Sequence, residues 1–401
     1  MFIKSVTFRF MISSFISVLG NASASVILPV VLLIKTGDPL AAGTLSLLCG
    51  LPMFLAGILG GALLDRFNRR SISVISDLIS AACVAALPIV EMTVGLSFGW
   101  FAVLGILGAI GDIPGMTARD VLFPSAVKRD GLDLQRFIGI WQSLDSLAVI
   151  IGPAMASVLI GAMGNVPALW VTAALSLIAA LVTLSIPASV GDPHAESNAP
   201  PSTSMLSTLK DGIDIMFKSD RVITFSMILS ASIVIITAGY QGLIFPVHFT
   251  EIGRPDLLGY VLSMLALGNI IGPVIYSIFV DKLSRRRWYV ISFFGMGIGL
   301  SVMGILPCYP LLLAAACFTG IACGPLSSLL GFLIIDRIPE EKRGSVMGMQ
   351  NAFMLILPPV FIFFISALVT WLGLSAASLA CIGFLWLVIF YGLVTKHMKE
   401  L

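Results

Sequence analysis

Apolar residues run along this chain in long, nearly unbroken stretches, and polar positions gather in the short gaps between them. The apolar runs cover about residues 9–34, 40–64, 71–93, 97–118, 136–162 and 165–187, then 222–249, 255–280, 287–307, 309–335, 344–369 and 371–395. Each is ~20 residues or longer, enough for a helix rising 1.5 Å per residue to cross a hydrocarbon core roughly 30 Å thick. Barrel strands would be about ten residues long and alternate in polarity, and no such pattern is present. The pattern predicts an all-α membrane protein of twelve transmembrane helices in two pseudo-symmetric six-helix bundles. Residues 188–221, with Pro193, Pro200, Pro201 and several Ser, Asn and Asp, read as a solvated cytoplasmic linker between bundles at 1–187 and 222–401. Within it, Thr208 to Lys218 have the amphipathic spacing of a short surface helix.

Composition agrees with this pattern. Hydrophobic residues make up 58% of the chain and charged residues 11%, against roughly 25% charged in soluble domains. Of the 23 Lys and Arg, only Lys35 and Arg254 fall in loops on the side opposite the termini, so the positive-inside rule places both termini in the cytoplasm. The net charge of +2 gives no reason to expect nucleic acid. The cysteines (Cys49, Cys83, Cys308, Cys317, Cys323, Cys381) lie in or beside apolar runs and read as small, reduced packing residues. His194, His248 and His397 are scattered, so no metal site is expected. No cluster of catalytic residues faces either surface. The first apolar run is long and lacks a small-residue cleavage site, so no cleavable signal is expected.

The densest charge lies between the second and third runs, in Gly61-Ala62-Leu63-Leu64-Asp65-Arg66-Phe67-Asn68-Arg69-Arg70. Such charge cannot sit in hydrocarbon and marks a tight turn at a membrane face. The order of acid, base, two residues and two arginines returns at Asp281, Lys282, Arg285 and Arg286, about half the chain later. That repeat is the trace of an internally duplicated transporter.

The first copy resembles motif A of the major facilitator superfamily, the loop joining helices 2 and 3. Asn68 stands where the family has Gly, and Asn tolerates a left-handed backbone better than most residues. The segments Ser17–Asn21, Leu32–Pro39 and Arg119–Arg129 resemble the macrolide-efflux and enterobactin-exporter branch, which has an acid where this chain has Asn21. Arg119–Arg129 reads as a cytoplasmic loop. Gly152-Pro153 resembles motif C in the outer half of helix 5 and is a candidate hinge, with Ala156 and Ser157 replacing the usual glycines. The arginine of motif B in mid-helix 4 is absent. Pro339–Gly344 resembles the helix 10–11 loop. The resemblance implies two bundles rocking about a central cavity, with Gly61, Asp65, Arg66, Arg69 and Arg70, and the repeat at Asp281, Lys282, Arg285 and Arg286, as the cytoplasmic gate.

A charged side chain at a helix centre costs about 2.5–3.5 kcal/mol on insertion scales, so each intramembrane acid needs a reason. Asp145 falls about 14 Å along helix 5, near mid-membrane, and shares a face with Gln142 and Gly152. It reads as a proton or cationic-substrate site, beside the plainer reading of a hydrogen-bonded structural acid. Asp112 and Asp77 lie nearer the cytoplasm; each reads as a proton site or, more simply, a gate ion pair, with Arg69 or Arg119 as partner for Asp112. Glu91 reaches the outer interface. Asn21, Gln241, Asn269, Gln350 and Asn351 are polar positions available to a cavity wall.

These residues and the resemblance lead to one expectation: a transporter, not an enzyme, acting as a monomer in a plasma membrane, such as a bacterial inner membrane. It exports a small amphiphilic compound, drug- or macrolide-like, by proton antiport. It uses the proton gradient and no cofactor. A dedicated exporter of a metabolite such as a siderophore is the alternative, and a nutrient symporter a more distant one.

Overall fold

The computed structural model describes residues 5–192, 221–337 and 340–394. Among them there are helices and turns and no strand. Six helices precede the 193–220 stretch: α1 (Val6–Thr36), α2 (Pro39–Arg66), α3 (Arg69–Thr93), α4 (Phe98–Arg129), α5 (Leu134–Met163) and α6 (Ala168–Leu184). Six spans follow it. The first, α7, is compound: Arg221–Gly239, a π-helical stretch Tyr240–Ile244, then Phe245–Glu251. The others are α8 (Leu258–Phe279), α9 (Arg285–Gly304), α10 (Tyr309–Arg337), α11 (Glu340–Leu372) and α12 (Leu374–Val394). Among the described residues, ten helices are long and apolar enough to cross a membrane, and α6 is a shorter apolar helix of 17 residues. The chain is a multi-pass membrane protein. Its exposed large side chains, such as Leu55, Val103, Leu181, Ile278 and Phe390, suit a lipid-facing surface.

The chain divides into two compact units, 1–200 with Phe249–Gly259, and 201–248 with 260–401. The turn between α7 and α8 thus clusters with the first unit, where the backbone N–H of Gly259 donates to Ser157 Oγ at 2.8 Å. The start of the segment read as a linker is also packed: Ala188–Gly191 forms a 3-10 turn against α3 and α4.

In the first unit α1 is the central element, packed on α5 and α6, while α3 packs on α4 and α6. Ile27, Val30, Val31 and Leu32 of α1 are buried. Ser5 caps its start, and Gly37 ends it in the left-handed conformation, where glycine carries no Cβ penalty. In the second unit α9 packs on α10 and α12, and α7 on α11. Gly268 and Gly272 of α8 lie against Gly320 and Gly324 of α10 so closely that a Cβ on any of them would overlap the facing backbone or ring. Small residues four apart on both helices allow that approach.

One expectation is corrected here. Arg119–Arg129 is not a loop: α4 runs through it to Arg129. Arg119, Asp120 and Pro124 gave it the look of a loop. Yet Ala118, Leu122, Phe123, Ala126 and Val127 recur at helical spacing and are fully buried, and Phe123 stacks between Phe10 of α1 and Trp141 of α5 at 5.4 and 4.5 Å. Burial of that face outweighs the charged residues on the other. At 32 residues α4 is ~48 Å long, so its mid-portion, including Asp112 and Arg119, lies well inside the bundle.

Candidate functional site

The extension of α4 decides the local chemistry. Arg119 is buried at 8% relative exposure and its guanidinium forms an ion pair with Asp77 of α3, itself only 3% exposed. The Asp77 Oδ1 that takes this contact also accepts from Ser17 Oγ of α1 at 2.9 Å. α3 and α4 approach closely at this level because Gly115 leaves room for the Ser76 side chain, which any Cβ there would overlap.

Other carboxylates surround the pair. Asp112, two turns before Arg119 on α4, interacts electrostatically with both Arg119 and Asp77. Asp145 of α5 interacts with Arg119 and Asp120. It is half-buried, and Ser14 Oγ of α1 lies 3.5 Å from its Oδ1. Ser14 in turn accepts from Trp141 Nε1 at 3.1 Å. Ser14 and Ser17 are one turn apart on α1, so a single helix face supplies a hydroxyl to Asp145 and another to Asp77. The result is one guanidinium among four carboxylates, Asp77, Asp112, Asp120 and Asp145. Asp77 is buried, Asp112 and Asp145 are half-buried and Asp120 is exposed, so a surplus of negative charge is costly at the first three. A proton or a cationic ligand would neutralise it.

Of the acids singled out from the sequence, the structure brings Asp77, Asp112 and Asp145 together around Arg119. Gln142 lies one turn before Asp145 and is exposed, and Asn21, two turns beyond Ser14 on α1, is exposed on the same face. Gly152 packs tightly: a Cβ would stand 2.5 Å from Ala22 Cβ of α1, and its carbonyl accepts from Ser23 Oγ at 2.8 Å. Pro153, inside α5, follows this fixed point. Glu91 pairs with Lys35 at the far end of α3. In the second unit Gln241 falls in the π-helical stretch of α7 and is half-buried, Asn269 of α8 is exposed, and Gln350 of α11 is half-buried. The side chain of Asn351 lies outside the described residues, as do His194, His397 and the segment Thr208–Lys218.

The motif A loop differs from expectation in detail. α2 continues as helix through Gly61, Asp65 and Arg66, whose side chains lie outside the described residues. Asn68 is extended (φ −61°, ψ 118°), not left-handed. It replaces the family glycine by acting as the N-cap of α3, accepting from the N–H groups of Arg70 and Ser71 at 3.1 and 3.3 Å. Its amide also donates to Ala188 O at 2.8 Å. Arg70 turns to the C-terminal carbonyls of α6, Thr183 O at 3.4 Å and Leu184 O, where the helix dipole favours a cation. Arg9 joins from α1, donating to Ser185 O at 2.7 Å. Arg69 is half-buried. In the repeat, Ser284 caps α9, accepting from Arg287 N at 3.4 Å, while Asp281, Lys282, Arg285 and Arg286 are exposed.

The model described as Major Facilitator Superfamily matches residues 10–247 and 227–400. The chain belongs to that superfamily. It is therefore a transporter and not an enzyme. Among its relatives are the multidrug efflux pump Tap of Mycolicibacterium fortuitum, 27% identical over 367 residues (90% of this chain, 88% of that protein), and macrolide efflux protein A of Streptococcus pyogenes, 25% identical over 362 residues (87% of each). The resemblance to the macrolide-efflux branch is thus met by whole-chain similarity. Among solved structures, the nucleoside transporter NupG superposes with a TM-score of 0.78 at 16% identity, covering 99% of both chains. A bacterial homologue of the iron transporter ferroportin, in an inward-facing state, gives 0.73 at 14% identity, covering 97% of this chain and 99% of that one. At such identity these likenesses show the fold: the major facilitator fold of two six-helix halves.

Arg119, expected as a partner for Asp112, forms its ion pair with Asp77 instead; Asp120, Ser14, Ser17 and Trp141 are the members of the cluster that sequence reading left without a site role. The usable signal was the buried helical periodicity from Ala118 to Val127, which carries Arg119 into the bundle.

Proposed function

We propose that this protein exports a small amphiphilic compound, drug- or macrolide-like, across a plasma membrane by proton antiport with alternating access. One observation carries the proposal: the buried guanidinium of Arg119 pairs with buried Asp77 and interacts with half-buried Asp112 and Asp145 inside the N-terminal half. Such a cluster exchanges a proton for a cationic substrate by holding one or the other. The efflux pumps among the relatives support the direction of transport. The bias of Lys and Arg supports cytoplasmic termini.

In this reading Asp145 is the exchanging site, with Asp112 and Asp77 in support. Gln142 and Asn21 flank it on exposed faces, and Gln241, Asn269, Gln350 and Asn351 are the polar positions offered by the C-terminal half. Asp65, Arg66 and Arg69, with Gly61 allowing close approach, form the cytoplasmic gate, and Asp281, Lys282, Arg285 and Arg286 its counterpart. Arg70 anchors that gate to the end of α6. Gly152 and Pro153 act as a pivot held against α1. The unit works as a monomer on the proton gradient.

The test is ethidium uptake into inside-out vesicles energised by a pH gradient, comparing wild type with Asp145→Asn. Gradient-dependent uptake in wild type that is lost in the variant supports the reading; equal gradient dependence in both moves the proton site away from Asp145.

A further inference from the structure

The Asp77–Arg119 ion pair is only half made. An arginine and a carboxylate at this range ordinarily meet as two parallel forks. Here one guanidinium nitrogen, Nη2, faces one carboxylate oxygen, Oδ1. Asp77 Oδ2 and Arg119 Nε are both buried and both without a hydrogen-bond partner. A buried polar atom without a partner is costly, more so when charged, so a resident pair built for stability alone would close the fork. Arg119 also interacts electrostatically with Asp112 and Asp120 on its own helix and with Asp145 on α5. From α1, Ser17 holds Asp77 at 2.9 Å and Ser14 sits beside Asp145 at 3.5 Å. Arg119 is thus paired with one carboxylate and linked electrostatically to another on a different helix, each beside a hydroxyl, the two hydroxyls one turn apart on α1.

We propose that Arg119 is a positioning residue that exchanges partners, paired with Asp77 in the state described and with Asp145 when Asp145 has given up its proton or cationic ligand. This rests on the antiport reading above and supplies its coupling step. While Asp145 is protonated or holds a cation it has no use for the guanidinium, which stays on Asp77. An empty, ionised Asp145 draws Arg119 across, which leaves Asp77 with Ser17 as its remaining described donor and shifts α3 relative to α5. No bond is made or broken beyond hydrogen bonds and ion pairs, and the proton or cation leaving Asp145 goes to the aqueous side then open.

The experiment is a charge swap. Asp77→Arg with Arg119→Asp rebuilds a fixed pair between α3 and α4 but puts the cation on α3, where it replaces a residue that is not among the electrostatic neighbours of Asp145. In proteoliposomes, with ethidium as substrate and a lumenal pH dye, the swapped protein is expected to keep a wild-type melting temperature within a few degrees while losing gradient-driven efflux by at least tenfold. Recovery of efflux in the swap overturns the exchange. Should the swap not fold, Asp77→Asn with Arg119→Gln replaces it: gradient dependence is lost if Arg119 exchanges and kept if the pair is static. A second arm does not depend on ethidium. In a double-mutant cycle on melting temperature, Arg119→Gln is combined with Asp77→Asn and, separately, with Asp145→Asn. Non-additive shifts with both acids support exchange; non-additivity with Asp77 alone overturns it. If wild type fails to move ethidium, the antiport reading fails for that cation, and this second arm alone decides the role of Arg119.

Discussion

Helices α3 and α9 begin alike and diverge within three turns. Each follows one copy of the repeated charge motif, and each is capped by the third residue after the motif aspartate, Asn68 in one and Ser284 in the other. The same distance beyond Asp65 and Asp281, however, stand Asp77 and Phe293. Asp77 is buried on Arg119 and Ser17, while Phe293 is buried on the ring of Tyr289 at 4.6 Å. The divergence continues through each bundle. The N-terminal half collects Asp77, Asp112, Arg119 and Asp145. Among its described residues the C-terminal half packs Tyr240, Tyr289, Phe293, Met296 and Met303, and its buried polar links are neutral, as in Tyr240 Oη with Ser378 at 3.1 Å and Trp386 Nε1 to Ser301 Oγ at 2.9 Å. Duplication kept the frame and its caps, and the two halves then took up different chemistry.

The largest expected break in this contrast is Arg119→Ala. It strands Asp77 in a buried site and removes the cation facing half-buried Asp112 and Asp145, so a loss of about 3–5 kcal/mol and of all transport is expected, read by thermal melting of purified protein and by vesicle uptake. The corresponding weak point of the C-terminal half is steric. Gly320→Val would push a branched side chain into the backbone of α8 near Leu265 and Gly268, with an expected cost of about 1–3 kcal/mol and a lowered melting temperature. Charge neutralisation in one half and overpacking in the other should therefore both destabilise, but for different reasons.

The two helix caps sharpen the comparison at a smaller scale. Ser284→Ala removes a cap alone and should cost about 1 kcal/mol. Asn68→Ala removes a cap and the donor to Ala188 O, so its shift in melting temperature should exceed that of Ser284→Ala. Equal shifts would show that the docked Ala188–Gly191 turn contributes nothing there. The smallest effect concerns Asp130, at the C-terminal end of α4. Partial burial tends to raise its pKa, but Ser5 Oγ at 2.6 Å and Thr7 N–H at 2.7 Å hold the carboxyl below its ordinary value overall. Because the folded pKa is depressed, this stabilisation is present above about pH 4 and lost as pH falls through the folded value. Wild type should therefore melt higher than Asp130→Asn at neutral pH, and the gap should close in acid.

Much of the frame was legible in the sequence because hydrocarbon length sets span length and charge sets the turns. The two motif copies were legible because the Asp-to-Arg spacing repeats. Three things were not. The end of α4 was hidden because Arg119, Asp120 and Pro124 look like a loop when the buried periodicity of Leu122, Phe123 and Ala126 is not weighed against them. The function of Asn68 was misassigned because a glycine at that place suggests a left-handed turn, whereas a cap satisfies the same loop in extended geometry. The partner of Asp77 was out of reach because pairing between α3 and α4 depends on Gly115 admitting Ser76, a packing detail no local pattern encodes.

The central claim is that the N-terminal half carries the charge exchange. It is tested most directly by substrate-induced proton release from purified protein in unbuffered detergent solution, with ethidium as the probe. Wild type and the C-terminal variant Gln241→Ala/Asn269→Ala/Gln350→Ala should release protons on binding, and Asp77→Asn/Asp112→Asn/Asp145→Asn should release none. Undiminished release from the N-terminal variant would contradict the account.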